Sequence, residues 1–173
     1  MAQAKQFEKN ALVMGVLSTL EEEKQDLFKR LEKLFGPIEK VTVSMPFSFT
    51  DYYNAEMNGE PARYFILFKR QVTPSNLATI KLKTNRLEKR YAKNGNRRIN
   101  LDPGLLSLSS LILASCKNRS HRIALAKGVY AELTLIYKDK QFNNLPWTYA
   151  DYASKPVQDI LVDFRKIMKE NSR

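Results

Sequence analysis

The sequence predicts an α+β domain: a ferredoxin-like split βαβ core with a mainly antiparallel sheet, extended by a C-terminal β-hairpin and a covering helix. Three observations carry this. Apolar runs and amphipathic stripes alternate over the first hundred residues as strand, helix, strand, strand, helix, strand. Two alternating runs flank Lys127-Gly128 as a hairpin, and a capped amphipathic segment closes the chain. With 173 residues and no composition break, residues 1–173 read as a single domain.

Each element has its local signal. "NALVMGVLS" (Asn10 to Ser18) is a buried strand that ends at a cap, with Ser18 and Glu21 at capping-box spacing. The helix that follows carries Leu20, Lys24, Leu27, Phe28, Leu31, Leu34 and Phe35 on one stripe, and Gly36-Pro37 ends it. "IEKVTVSMPF" (Ile38 to Phe47) is β-branched enough for a strand. Ser48 to Ala62 reads as a connection with one helical turn capped by Thr50 or Asp51. "RYFILFKRQV" (Arg63 to Val72) is a strand, and Thr73 to Ala92 a helix with Leu77, Ile80, Thr84, Leu87 and Tyr91 inward. "RRINL" (Arg97 to Leu101) supplies the fourth strand, and Asp102-Pro103-Gly104 a turn. For Ser107 to Lys117 a short buried helix capped by Ser107 is favoured over a strand through "LILAS". The last helix spans Ser154 to Glu170, capped by Ser154, with Val157, Ile160, Leu161, Phe164, Ile167 and Met168 inward.

An apolar share of 43% and a charged share of 27% exclude a disordered chain. No apolar run approaches the ~20 residues of a spanning helix, and "MAQAKQFEKN" is no signal peptide. Membrane partners are therefore not expected. The lone Cys116, read as a small apolar residue, cannot close an internal disulfide, so the expected location is cytoplasmic. A net charge of +11 attracts polyanions at long range, which makes an anionic small molecule or RNA the expected kind of partner.

Three constellations could carry chemistry. In a hairpin with a two-residue turn at Lys127-Gly128, Ile123 opposes Glu132 and His121 opposes Thr134, so His121 and Glu132 become diagonal neighbours on one face. An imidazole oriented by a carboxylate suits a general base, and equally a structural hydrogen bond. Arg122 then points to the other face, to snorkel from the edge or to pair with a carboxylate such as Asp102. Asp51, Tyr52, Tyr53, Glu56, Trp147, Tyr149, Asp151 and Tyr152 supply rings with polar ends, suited to stacking a planar ligand or to locking loops. Lys81, Lys83, Arg86, Lys89, Arg90, Lys93, Arg97 and Arg98 form a basic run, largely on the outer side of the second long helix, either as a phosphate track or as a solvated face. No aromatic RNA-stacking signature accompanies them in "RYFILFKRQV". One histidine and one cysteine make no zinc site of the usual kind, there is no P-loop, and no metal site is expected; a cofactor is not specified by any motif.

"FTDYYNAEM", "KLKTNRLE", "NLDPGLLSLSSLILASCKNRSHRIALAKGVYAELTLIY" and "LPWTYADY" together resemble a family of bacterial and archaeal proteins filed as a domain of unknown function, number 4416. Some members carry a GTP-binding label, although this chain has no phosphate- or guanine-binding motif. The resemblance implies a single full-length domain and marks Asp51, Tyr52, Tyr53, Glu56, Asp102, His121, Arg122, Tyr130, Glu132, Trp147, Thr148 and Tyr149 as motif positions, without assigning roles. Ala150 stands where the family's proline after WTY is expected. The resulting expectation is a nucleotide-like anionic ligand where the hairpin face meets the DYY and WTY loops, with His121 and Arg122 meeting the anion, Glu132 orienting His121, and Trp147 with Tyr52 or Tyr53 stacking. Non-enzymatic RNA binding and a scaffold role are the alternatives.

Overall fold

β1 (Asn10–Ser18) lies at the centre of the sheet, buried on both faces, which is why its sequence is a continuous apolar run and not an alternation. The computed structural model describes every residue except 21–22, 51, 58 and 172–173. α1 (Lys24–Phe35), β2 (Ile38–Val41), β3 (Met45–Pro46), α2 (Tyr52–Met57), β4 (Ala62–Val72), α3 (Leu77–Tyr91) and β5 (Ile99–Leu106) follow in the first part of the chain. β6 (Ser110–Ser115), β7 (Ile123–Ala126), β8 (Val129–Lys138), β9 (Gln141–Asn144) and α4 (Lys155–Asn171) complete it. The main strand order is β2-β4-β1-β5-β6-β8-β7, with β3 beside β4 and β9 beside β8, and the pairings are antiparallel.

Even-numbered residues of β1 and β4 face α1 and α3, packing Leu12, Met14, Tyr64 and Ile66 against Leu27, Leu31, Ile80 and Leu87. Odd-numbered residues face α4, where Val13, Phe65 and Leu67 meet Leu161, Phe164 and Met168. The sheet is thus sandwiched between helices. Each large side chain buried this way contributes about 1.5–3 kcal/mol relative to an exposed one.

Several local expectations yield to pairing across the sheet. Ser107 to Lys117 contains a strand, not the favoured helix: β6 is held by β5 and β8, and Ser107 caps a turn, its Oγ accepting from the backbone N–H groups of Ser109 and Ser110. Asp102-Pro103-Gly104 is no turn but the middle of β5. Proline is tolerated there because β6 pairs with β5 only from Gly104 onward, so no ladder bond to that neighbour is lost at Pro103. Gly104 in turn admits Leu113, whose Cδ2 would lie 2.8 Å from a β-carbon at that position.

The Lys127-Gly128 turn has the two positive φ angles, 54° and 75°, of a tight hairpin, and Ala126 pairs with Val129. A bulge at Leu125 shifts the rest: Ile123 opposes Ala131, not Glu132, and His121 and Arg122 precede the strand in a turn, Arg122 N–H donating to Arg119 O. The expected strand Ile38 to Phe47 is two short pieces, and Leu34 is exposed. Ser18 Oγ accepts from Leu20 N–H, while the capping-box partner Glu21 lies outside the described residues. Thr50 Oγ1 accepts from Tyr52 N–H at the start of α2; the other candidate cap, Asp51, also lies outside them. Ser154 opens α4 through its carbonyl, which accepts from Gln158, whereas its hydroxyl donates to Asp151 O. Lys81 is not on the outer side of α3 but buried, donating to Leu101 O. No helix among the described residues is long and apolar enough to cross a membrane.

Candidate functional site

β5 and β6 share only three paired positions, Gly104 to Leu106 with Leu113 to Leu111. Beyond them β5 follows β1 toward Ile99 while β6 follows β8 toward Ser115, and the sheet splits. The split opens a cleft of about 860 Å³, the size of sites that hold small organic ligands. α2, the N-terminal parts of β4 and β5, α3, the end of β6 and the segment from Tyr149 to Tyr152 surround it.

Arg63 forms the floor. Its guanidinium, buried among Phe47, Phe65 and Tyr152, donates to Asp102 Oδ2 at 3.3 Å and to Asp151 Oδ2. Asn100 Nδ2 also donates to Asp102 Oδ2, at 2.9 Å, and is itself held by Arg97, which reaches Glu56 and Glu88. Close approach makes this possible: a β-carbon at Gly15, the register partner of Asp102, would sit 2.4 Å from Tyr152 Oη and 3.1 Å from Arg63 Nη1. Tyr152 Oη and Arg63 Nε are buried without a hydrogen-bond partner among the described residues.

Glu132 and Arg122 form the opposite wall, their side chains 1% and 4% exposed. Arg122 Nε donates to Glu132 Oε2 at 2.6 Å, Nη1 to Ser115 Oγ and Lys117 O, and Nη2 to Tyr149 Oη. Arg122 therefore shares Glu132 with His121, whose Nε2 lies 2.9 Å from the same oxygen; it neither snorkels nor pairs with Asp102. The His121 ring stacks on Trp147 with centroids 4.9 Å apart and planes 7° from parallel, and Trp147 Nε1 donates to Leu133 O. Thr148 Oγ1 donates to Thr134 O and accepts from Leu145 N–H, fixing the WTY loop to β8.

Burial pushes the Tyr53 phenol up to about 12, helped by the charge of Asp102. Tyr149 is raised by burial and by Glu132, and Tyr152 by burial and the surrounding carboxylates, against the opposing charge of Arg63. All three are neutral phenols at neutral pH. Burial also raises Glu88, despite Lys81 and the Leu101 N–H that it accepts.

Tyr52, Tyr53, Glu56, Asp102, Arg122, Glu132 and Tyr149 line the cleft, as the residue types suggest. His121, Trp147 and Tyr130 do not, and Asp51 lies outside the described residues. Of the basic run, Lys81, Lys89 and Arg97 line it, while Arg98 pairs with Glu23. Cys116 is exposed at the rim instead of packed as an apolar residue, because β6 has already ended. Arg63, Asn100 and Lys117 were not singled out by sequence reasoning; an arginine opening the apolar run "RYFILF" is the one available signal for Arg63. Among the described residues no three carboxylate, imidazole or thiol groups gather as metal ligands.

The family described as domain of unknown function DUF4416 matches residues 8–168. The chain belongs to this family. The DUF4416 match covers every element from β1 to β9 and α4 as far as residue 168, and with them both walls of the cleft. No curated protein and no solved structure matches the chain.

Proposed function

We propose that the cleft binds an anionic, planar small molecule of the nucleotide kind. Its charge balance supports this. Among the described residues, the five lining carboxylates Glu56, Glu88, Asp102, Glu132 and Asp151 are taken up by Arg63, Lys81, Arg97 and Arg122, and neither Lys89 nor Lys117 forms an ion pair. The exposed rings of Phe49, Tyr52 and Tyr149 stand at the same rim, and Lys117 Nζ lies 5.8 Å from the centre of the Tyr52 ring. A cation over a stacking ring is suited to a phosphate attached to a planar group.

In this reading Lys89 and Lys117 meet the anion, in place of His121 and Arg122. Arg122 is already engaged through all three nitrogens, and the His121 face is covered by Trp147. His121 and Glu132 serve as a positioning pair behind the wall. RNA is the weaker partner, because Lys81, Arg97 and Arg98 are committed to carboxylates or a carbonyl and break the track. The exposed free thiol of Cys116 fits a reducing compartment such as the cytosol.

The test is thermal stabilisation of the purified protein by a nucleotide panel, followed by titration calorimetry. Binding in the micromolar range that falls about tenfold or more in the Lys89→Glu, Lys117→Glu double variant supports the proposal. No stabilisation by any nucleotide, or affinity unchanged in that variant, overturns it.

A further inference from the structure

The two ends of the cleft differ in charge. At its floor one guanidinium, Arg63, answers two carboxylates, Asp102 and Asp151, while at its mouth Lys89 and Lys117 answer none among the described residues. Asp102 is the unfinished group. Both of its donors, Arg63 and Asn100, bind Oδ2, and no described residue donates to Oδ1, although the side chain is only 26% exposed. Two donors on one oxygen fix the plane of the carboxylate, so the remaining oxygen is a preoriented acceptor inside the cleft.

We infer that the cleft holds its ligand in one orientation and selects an anion whose far end is an amino-bearing planar ring: the amino group donates to Asp102 Oδ1 and the anionic end lies at Lys89 and Lys117. This rests on the reading of the cleft as a nucleotide-like anion site and adds its polarity and its ligand class. The reverse orientation sets an anion against the surplus carboxylate at the floor and an amino group against two lysines, so both ends disfavour it. Tyr53 and Tyr149 line the same cleft as Asp102 and supply aromatic rings for a planar group. A simple organic dication satisfies the floor but is repelled at the mouth. A bare divalent cation finds no group of three carboxylate, imidazole or thiol ligands among the described residues.

The experiment is calorimetry on the full chain with matched nucleotides: AMP against purine riboside 5′-monophosphate, which lacks only the amino group, with CMP against UMP and GMP against IMP beside it. In at least one pair the amino-bearing member binds about tenfold or more tighter, the worth of a hydrogen bond to a charged acceptor. Asp102→Asn brings that preference to within about twofold, because the amide is uncharged and binds a donor more weakly. Lys117→Glu weakens both members of the pair alike and leaves the preference intact. Equal binding within all three pairs, or a preference that survives Asp102→Asn, overturns the inference while leaving anion binding standing. Failure of every nucleotide to bind overturns both. Should Asp102→Asn not fold, the wild-type comparison within the three pairs still decides.

Discussion

Arg63 and Arg122 are both buried arginines that bind carboxylates on facing sides of one cleft, and they do opposite things. Arg122 is complete: Nε, Nη1 and Nη2 all donate, to one carboxylate, two hydroxyls and a carbonyl. Arg63 divides itself between two carboxylates, leaves Nε without a partner and leaves one oxygen of Asp102 open. The first arrangement ties the β6 end, the His121 turn and the WTY loop together. The second leaves capacity for a ligand. The pair teaches that an Arg–carboxylate contact in a cleft is informative through what it leaves unsatisfied.

The largest effect that would break this contrast is on stability. Arg122→Met leaves Glu132 buried without its main cation, which costs about 3–5 kcal/mol and shows as a lower urea midpoint. A loss below about 1 kcal/mol would mean that the wall is not held by this pair. Next comes Gly15→Val, which drives a side chain into Tyr152 Oη and Arg63 Nη1. Overpacking of this kind costs about 1–3 kcal/mol, and the same variant should lose nucleotide binding, since the Arg63 floor must shift. Stability lost with binding intact would uncouple that floor from the ligand.

The smallest effect concerns Glu88, a buried carboxylate whose neighbours Lys81 and Arg97 only partly offset its burial, with Asp102 opposing. Its folded pKa is raised above the ordinary 4.5, so the folded state holds the proton more tightly. Its contribution to stability is present below 4.5 and is lost as pH rises through the raised value. Glu88→Gln should therefore flatten the decline in urea midpoint above pH 4.5. An unchanged slope would show that Glu88 titrates normally.

Much of the scaffold was legible because its signals are local. Leu27, Leu31 and Phe35 recur at helical spacing, as do Val157, Leu161, Phe164 and Met168, and these stripes are the faces that bury. Lys127-Gly128 specified its turn by glycine chemistry alone. The motif residues Tyr52, Tyr53, Glu56, Asp102, Glu132 and Tyr149 do converge on one cleft. The register around His121 was not legible, because one bulged residue, Leu125, moves every earlier residue by one position.

By itself, then, the sequence determined the three long helices, the hairpin turn, the α+β class and the family, since each rests on spacing within a few residues or on motifs read in order. Only the tertiary structure decided that Pro103 lies inside a strand, that Ser110–Ser115 is a strand, and that β5 and β6 part to make a cleft. The same holds for Arg63, which is 39 residues from Asp102 and 88 from Asp151 in the chain. Pairing between strands and between distant charges is set by which partners the fold brings within reach, and no local pattern encodes that distance.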